Sequence, residues 1–464
     1  MAKIWDHLRS GDWRSLVASF LYFDTGFTVW LLFGPLAPYM GPRLHLAPAA
    51  MGFLVAVPVL SGALLRVPLG HLYQTLNGRT IALMGIMLSA LTPLYLLFAP
   101  VAPTLGVLLV LGVLLGVGGA SFAVALPMAG SGYPPKVQGL VLGLAAAGNI
   151  GAVLDGVLFP PLARHYGWQS AMTAVLPLLA LAALALWVWG HDRAPKAGSV
   201  PRALMGFWGS LVFLAVLVMV VHQGWLGVSG HHAVLLLPVF GMAFMVTLLP
   251  SVQRAVFREG DAWAFFLIYA ITFGGFVGMS AYVSVLLIAL YHIPKVTAGL
   301  LMAGLAFTGA TVRPLGGLLA DHAGGPRVLR YALSAIALVD LVFAFFVPAP
   351  AVGIAALFAL YLGFGVGNGA TFQMVPLRWP ERRGLMTGLI GAAGGIGGFY
   401  LPVVLGIVKQ ATASYRGGFA VFAGLAMAAT LLVQARGRRW ALSTQEIDTG
   451  GTPPVPKGAA IESD

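Results

Sequence analysis

The chain has 464 residues, of which 59% are hydrophobic and 9% are charged. Soluble domains are about half apolar and a quarter charged, so this composition excludes an ordinary soluble protein and predicts that most of the chain lies in lipid. The net charge of +12 would suit nucleic acid, but the placement of the basic residues described below excludes that interpretation. There is no cysteine, which excludes a disulfide framework and a thiol metal site.

Fourteen apolar stretches follow one another along the chain. A helix needs about 20 apolar residues to cross the hydrocarbon core of a bilayer, so each stretch is predicted to be a transmembrane helix. The predicted spans are 14–40, 49–72, 80–99, 103–128, 136–163, 169–190, 206–222, 233–250, 262–291, 297–320, 328–347, 351–376, 383–409 and 416–434. The sequence therefore predicts an all-helical integral membrane protein.

The basic residues are distributed unevenly between the two sides of these spans. With the amino terminus inside, most of the 26 Lys and Arg fall in tails or loops on the inner side. The residues that fall on the outer side are Arg43, Arg164, Lys295, Lys409 and Arg416. Cytoplasmic loops carry the excess of Lys and Arg in membrane proteins, so both termini are predicted to be cytoplasmic.

The two halves of the chain resemble each other at an offset of 247 residues. This offset pairs Arg66 with Arg313, Gly70 with Gly317, and Gly148 with Gly395. Halves that run in the same direction indicate parallel repeats related by an axis along the membrane normal. The predicted organisation is a six-helix repeat (1–190), a linker with two extra transmembrane helices (191–261), a second six-helix repeat (262–434) and a disordered cytoplasmic tail (435–464).

The loop after the second helix of the carboxyl half reads GLLADHAGGPR from Gly317, and it resembles the signature loop of the major facilitator superfamily. The copy in the amino half reads GHLYQTLNGR from Gly70 and has Gln74 where the other copy has Asp321. The resemblance implies the major facilitator fold, with Gly70, Gly317 and Asp321 in gating loops. Whether the amino half makes the family's carboxylate contact is left open by Gln74.

Two glycine-rich helices narrow this resemblance further. AAAGNIGAVLDG at 145–156 and GAAGGIGGFYLP at 391–402 resemble the paired signature of the nitrate/nitrite porter family. The resemblance implies secondary active transport of nitrate or nitrite by alternating access, as proton-coupled nitrate uptake or nitrate/nitrite exchange. It also implies a monomer in a bacterial inner membrane. The two extra helices depart from the family's usual twelve.

Arg66 and Arg313 are the basic residues that fall inside predicted spans. An arginine at the centre of a spanning helix costs about 2.5–3.5 kcal/mol on insertion scales, so both need a partner, water or a bound anion. Guanidinium presents paired donors in a plane, which suits the planar oxygens of nitrate or nitrite. The alternative is an internal salt bridge to Asp24, Asp155 or Asp340, the acidic residues inside spans.

The family resemblance also implies other binding residues. Its aromatic positions, which wall the anion, correspond here to Phe122, Tyr269, Phe273 and Phe372, and its signature glycines correspond to Gly148 and Gly395. The alternative for these side chains is lipid contact or core packing. Asn149 and Asn368 lie within spans and are predicted either to donate to the anion or to bond a neighbouring helix.

Asp24 lies within the first span, where an ionised carboxylate must be paired, hydrated or protonated for part of a transport cycle. It is therefore a candidate proton carrier, with Asp155 as the second candidate. The alternative is a fixed ion pair with Arg66 or Arg313.

Other classes of function are less compatible with the sequence. His222, His231 and His232 flank an outer loop without a carboxylate or thiol, so no metal site is expected. No nucleophile–base pair or phosphate loop is evident, so we expect neither an enzyme nor a cofactor. The rivals are an exporter of drugs or organic anions, which predicts a wide apolar cavity, and a non-transporting membrane sensor, which would carry a signalling domain.

Overall fold

Helices make up nearly all of the described chain, because a backbone in lipid has to satisfy its own hydrogen bonds. The computed structural model describes residues 11–99, 101, 103–134, 137, 141–142, 144–145, 147–224 and 230–448. Its main helices are α1 (Trp13–Arg43), α2 (Pro48–Thr75), α3 (Gly78–Phe98), α4 (Leu105–Ser131), α5 (Gly151–Tyr166), α6 (Trp168–Trp189), α7 (Val200–His222), α8 (Val234–Leu248), α9 (Gly260–Tyr291), α10 (Lys295–Ala323), α11 (Gly325–Phe345), α12 (Pro350–Arg378), α13 (Arg383–Thr412) and α14 (Arg416–Asp448).

Among the described residues, twelve of these helices are long and apolar enough to cross a membrane. The other two, α5 and α8, are shorter and coincide with the predicted spans 136–163 and 233–250. Most of residues 135–146 lie outside the described residues, so the span that contains α5 is seen only in part. The prediction of an all-helical integral membrane protein with an inserted helix pair is confirmed.

The two six-helix halves, α1–α6 and α9–α14, meet along three helix pairs. Helix α2 packs against α13, α5 against α10, and α1 against α9. In the last pair, a Cβ added to Gly34 would lie 2.9 Å from Cα of Ala281. The offset of 247 residues pairs these same two positions, so the axis that relates the halves passes between them.

The halves approach each other most closely at one end of the bundle. We call the end where α1 begins the terminal face and the end where α2 begins the opposite face. At the opposite face the backbone N–H of Ala49 donates to Oε1 of Gln410 at 3.1 Å, and a Cβ added to Gly406 would lie 2.5 Å from the carbonyl oxygen of Pro48. Toward the terminal face, a Cβ added to Gly384 or Gly388 of α13 would meet no described heavy atom within 4 Å. The interface therefore opens toward the terminal face.

The inserted helices lie against the outside of the amino half. Helix α7 packs against α2 and α4, and α8 packs against α7 and α2. The pair also touches the other half, because the hydroxyl of Tyr400 in α13 donates to the carbonyl oxygen of Leu235 at 3.1 Å.

The last helix extends further than the sequence predicted. Residues 435–448, which the sequence assigned to a disordered tail, continue α14 to Asp448. Arg436 pairs with Asp261 at 3.0 Å, and the Trp440 ring lies 5.2 Å from that of Phe265. These contacts with α9 hold the extension, and residues 449–464 lie outside the described part of the chain.

Candidate functional site

Arg66 lies in α2 with only 4% of its surface exposed. Its Nη1 donates to the carbonyl oxygen of Gly391 at 2.6 Å, and its Nε and Nη2 donate to that of Gly119 at 3.3 and 3.2 Å. Gly119 belongs to the amino half and Gly391 to the carboxyl half, so this side chain links the two. Because carbonyl groups carry no net charge, the positive charge remains available to an anion.

Aromatic rings surround the same guanidinium group. Its Cζ lies 5.2 Å from the ring centroid of Phe122, 5.3 Å from that of Trp30 and 5.6 Å from that of Phe273. A cation within about 6 Å of a ring centroid is attracted to the ring face. Phe122 and Phe273 were expected at this site, whereas Trp30 was not.

Arg313 is placed differently, although it occupies the equivalent position in α10. It is only partly buried, its Nη2 lies 3.5 Å from the hydroxyl of Tyr269, and its Cζ lies 5.3 Å from the ring of Phe372. Its guanidinium group therefore makes fewer and longer contacts than that of Arg66. In this conformation Arg313 has more donors free than Arg66.

Tyr269 and Phe273 connect the two arginines. They lie one turn apart in α9, and their rings stack at 5.1 Å with an interplanar angle of 7°. Tyr269 also meets the Phe372 ring edge to face at 4.9 Å. A Cβ added to Gly394 of α13 would lie 2.5 Å from Cδ1 of Tyr269, so glycine is needed there for the stack to form.

The two arginines therefore share one set of rings. The four aromatic residues predicted from the family resemblance converge here rather than facing lipid. We call this group the arginine–aromatic cluster, and it consists of Arg66, Arg313, Phe122, Tyr269, Phe273 and Phe372. Both guanidinium groups lie in electrostatic range of Tyr269 and repel each other, which a bound anion would relieve.

The predicted glycines of the signature helices lie where helices approach closely. A Cβ added to Gly395 would lie 2.5 Å from Cβ of Ala63 in α2, and one added to Gly151 would collide with the backbone of Asp24 in α1. Gly148 falls in the short 3₁₀ turn Ala147–Ile150 that precedes α5. Gly395 and Gly151 therefore allow neighbouring helices to approach closely.

Asn149 and Asn368 are buried, with 4% and 2% of their surfaces exposed. The Oδ1 atom of each has no hydrogen-bond partner among the described residues. The alternative in which these amides accept from a neighbouring helix through Oδ1 is not what the structure shows. A buried carbonyl oxygen without a partner is costly, so each Oδ1 is available to a water molecule or another hydrogen-bond donor.

Asp24, Asp155 and Asp340, the acidic residues inside the predicted spans, form no ion pair with arginine in the described part of the chain. Asp155 in α5 is fully buried, and neither of its carboxylate oxygens has a hydrogen-bond partner among the described residues. Asp24 in α1 lies in electrostatic range of Asp155, and the N–H of Gly151 faces its carboxylate. Salt-bridge scaffolds between these acids and the two arginines are therefore absent from this conformation.

The structural role of Asp192 was not identified from the sequence. Asp192, in the segment between α6 and α7, accepts from the backbone N–H of Gly78 at 2.7 Å and from the hydroxyl of Tyr73 at 2.8 Å, and pairs with Lys196 at 2.6 Å. It caps the start of α3, beside the end of α2, where Gln74 occupies the position that Asp321 has in the other half. The sequence signal was only an acid four residues before a lysine.

Gly70, Gly317 and Asp321 were expected in gating loops, but the structure places Gly70 inside α2 and Gly317 and Asp321 inside α10, because these helices continue to Thr75 and Ala323. A Cβ added to Gly70 would lie 4.0 Å from Ala123 in α4, and one added to Gly317 would lie 3.8 Å from the carbonyl oxygen of Gly369 in α12. Asp321 is exposed at the terminal face. Of the three histidines considered for a metal, His231 has a side chain outside the described part.

A known protein family and several individual proteins match this sequence over most of its length. The sequence matches the Major Facilitator Superfamily profile over residues 18–402 and 265–446. It is 30% identical over 410 residues to the "Nitrite extrusion protein" of Bacillus subtilis, and the alignment covers 88% of this chain and 90% of that protein. It is also 30% identical over 404 residues to the "Probable nitrate/nitrite transporter NarK2" of Mycobacterium tuberculosis, covering 85% of this chain and 89% of the relative.

Solved structures show the same fold at low sequence identity. The peptide transporter POT in complex with sulfate superposes with a TM-score of 0.69 at 13% identity, covering 93% of this chain and 95% of that one. The xylose transporter XylE from E. coli, in a partially occluded inward open conformation, superposes with a TM-score of 0.65 at 12% identity, covering 92% and 98%.

Proposed function

Since this chain belongs to the nitrate/nitrite porters of the major facilitator superfamily, we propose that it transports nitrate or nitrite across a membrane by alternating access. One observation carries the proposal beyond the family: two intramembrane arginines, paired by the repeat, share one set of aromatic rings and have no acidic partner among the described residues. A small planar anion bound between them would accept hydrogen bonds from both guanidinium groups and offset one of the two positive charges.

The chemistry of the arginine–aromatic cluster favours a delocalised, weakly hydrated anion. Guanidinium donors match oxygen atoms in a plane. The ring faces of Phe122 and Phe273 replace water around the anion, and a weakly hydrated anion loses little on that exchange. A compact, strongly hydrated anion would be excluded for the same reason.

The shape of the interface supports a rocking mechanism. The halves are closed at the opposite face and open toward the terminal face, where Arg313 is partly exposed. We assign the terminal face to the cytoplasm of a bacterium because the loops rich in Lys and Arg lie there. An anion would then meet Arg313 first in this conformation. The Arg66–Gly391 hydrogen bond would have to change as the halves move.

Proton coupling is proposed for the acidic pair in the amino half. Asp24 and Asp155 lie near each other without a cationic partner in the described residues. Two carboxylates so close in a dry environment cannot both be ionised at low cost, so at least one carries a proton. Release of that proton during the cycle would couple anion movement to a pH gradient.

The test is flux through the purified protein in liposomes. Nitrate and nitrite uptake would be measured with and without a pH gradient, and with and without internal nitrite as counter-anion. Uptake stimulated by the gradient indicates proton coupling, and uptake that requires the counter-anion indicates exchange. Transport of bulky organic anions with no movement of nitrate or nitrite would show that the proposal is wrong.

A further inference from the structure

Trp30 is fully buried in α1, and its ring lies 5.3 Å from Cζ of Arg66. Its indole N–H donates to the carbonyl oxygen of Pro58 in α2 at 2.7 Å. The indole is thus fixed at one edge by a hydrogen bond. Its face is then free to contact the guanidinium group.

Two glycines make the space that the indole occupies. A Cβ added to Gly62 in α2 or to Gly119 in α4 would overlap the atoms of the Trp30 ring. Gly119 is also the residue whose carbonyl oxygen accepts two hydrogen bonds from Arg66. The indole and the guanidinium group therefore both contact Gly119, and displacing either group would disturb the other.

The carboxyl half has no equivalent of this indole. The offset of 247 residues places Val277 opposite Trp30, and in the described structure Arg313 contacts the ring of Phe372 and the hydroxyl of Tyr269. Arg66 is correspondingly buried and Arg313 partly exposed. Trp30 thus explains part of why Arg66 is buried and Arg313 is partly exposed, although the repeat places the two arginines at equivalent positions.

We propose that Trp30 is a positioning residue that holds the guanidinium group of Arg66 in its binding orientation and thereby sets the affinity for the anion. A ring face attracts the cation without neutralising it, whereas a carboxylate in the same place would compete with the substrate. This inference rests on the proposed function of the arginine–aromatic cluster. It adds a residue that does not itself need to touch the anion.

The test compares Trp30→Leu and Trp30→Phe with the wild type in liposomes. Leucine removes the ring face, so the KM for nitrate or nitrite is expected to rise about tenfold or more with little change in the maximal rate. Phenylalanine keeps a ring and is expected to restore most of the affinity. Phe207→Leu, in α7, is the control for losing a buried ring away from the cluster.

A second readout does not depend on transport. Phenylglyoxal modifies accessible arginines, and peptide mass spectrometry would report the rate at Arg66, which is expected to rise in Trp30→Leu but not in Trp30→Phe or Phe207→Leu. If the leucine variant does not fold, Gly62→Ala is expected to displace the indole and give the same changes, because its Cβ would overlap Nε1 of Trp30 more closely than it meets the carbonyl oxygen of Gly116 at 2.8 Å. Unchanged KM and unchanged Arg66 reactivity in the folded variants would overturn the role of Trp30. Absence of nitrate and nitrite flux in the wild type would instead overturn the proposed function, and the Arg66 reactivity would still test Trp30.

Discussion

The two arginines differ in burial, although the repeat places them at equivalent positions. Arg66 is enclosed by rings and carbonyl groups, and Arg313 is reached from the terminal face. Both depend on the fork of donors that lysine lacks. Replacing either arginine by lysine keeps the charge but removes the fork of donors, so it tests whether the residue binds the anion or only stabilises the helix packing.

Arg66→Lys and Arg313→Lys are each expected to lower anion flux by about tenfold to a hundredfold. A hydrogen bond to a charged group contributes about 1.5–3 kcal/mol, and 1.4 kcal/mol is a factor of ten. Initial rates in liposomes at low anion concentration check this. Arg79→Lys, on the exposed surface of α3, should transport as the wild type does. Wild-type flux in either cluster variant would contradict the paired-arginine site.

Asp24→Asn is expected to abolish uphill uptake driven by a pH gradient while anion exchange at equal concentrations continues, because exchange requires no net proton movement. The measurement is isotopic nitrate uptake in the two regimes. Equal loss of both activities would favour a structural role for Asp24. Persistent pH-driven uptake in this variant would move the coupling assignment to Asp155.

At the scale of elements, glycine decides how closely the helices of the site approach. Along α13, Gly394 lies against the Tyr269 ring, whereas Gly388 has open space around it. The same helix thus supplies a sensitive position and a matched tolerant one. The start of α3 is a second position where a single side chain, that of Asp192, stabilises a helix.

Gly394→Ala is expected to reduce transport severely, because its Cβ would lie 2.5 Å from Cδ1 of Tyr269 and displace the ring stack. Gly388→Ala is expected to retain transport, since nothing described lies within 4 Å of its added Cβ. Flux per folded molecule, measured for both, checks the contrast. Equal activities would mean that the stack is not required.

Asp192→Asn tests the cap of α3. Burial raises the pKa of Asp192, but hydrogen bonds from Lys196, from the N–H groups of Gly78 and Ala194 and from Tyr73 outweigh it and hold the pKa below its usual value. Ionised Asp192 therefore stabilises the fold above the ordinary Asp pKa of about 3.9, and that contribution is lost as the pH falls below it.

The thermal midpoint of Asp192→Asn in detergent is therefore expected to be lower than that of the wild type at pH 7. The difference should shrink as the pH falls below about 4, where Asp192 of the unfolded wild type takes up a proton, and should vanish once the pH is below the lowered pKa of the folded state. A constant difference across this range would mean that the charge of Asp192 contributes nothing to the cap.

At the scale of the whole molecule, the inserted helices touch both moving halves. They pack mainly on α2 and α4 of the amino half, and Tyr400 of α13 bonds to Leu235. The chain needs only α1–α6 and α9–α14 to build the two repeats. The pair is therefore expected to tune stability or the balance of conformations rather than form the site.

Removing residues 200–249 and joining the ends with a flexible linker is expected to leave measurable nitrate or nitrite flux. Stability should fall, because the deletion removes buried α7 side chains such as Phe207 and Leu214, and the surface of α2 that they cover becomes exposed. Flux and thermal midpoint of the folded deletion variant would be measured together. Complete loss of flux in a folded variant would make α7 and α8 part of the transport machinery.

The sequence by itself determined the spans, the repeat and the two arginines. Apolar length and the rarity of charge in lipid are local properties, and a fixed offset is visible without coordinates. The aromatic positions came from family resemblance, because periodicity cannot separate a ring that faces a site from one that faces lipid.

Only the tertiary structure decided which groups meet. Trp30 is separated along the chain from Gly62, Arg66 and Gly119, and its role depends on the close approach of α1, α2 and α4. The contact of Asp192 with the start of α3 depends likewise on how a linker folds back. The extension of α14 to Asp448 is held by contacts with α9 that no local pattern reveals. Contacts between distant segments arise from packing, and packing is settled by the whole chain rather than by any one stretch of it.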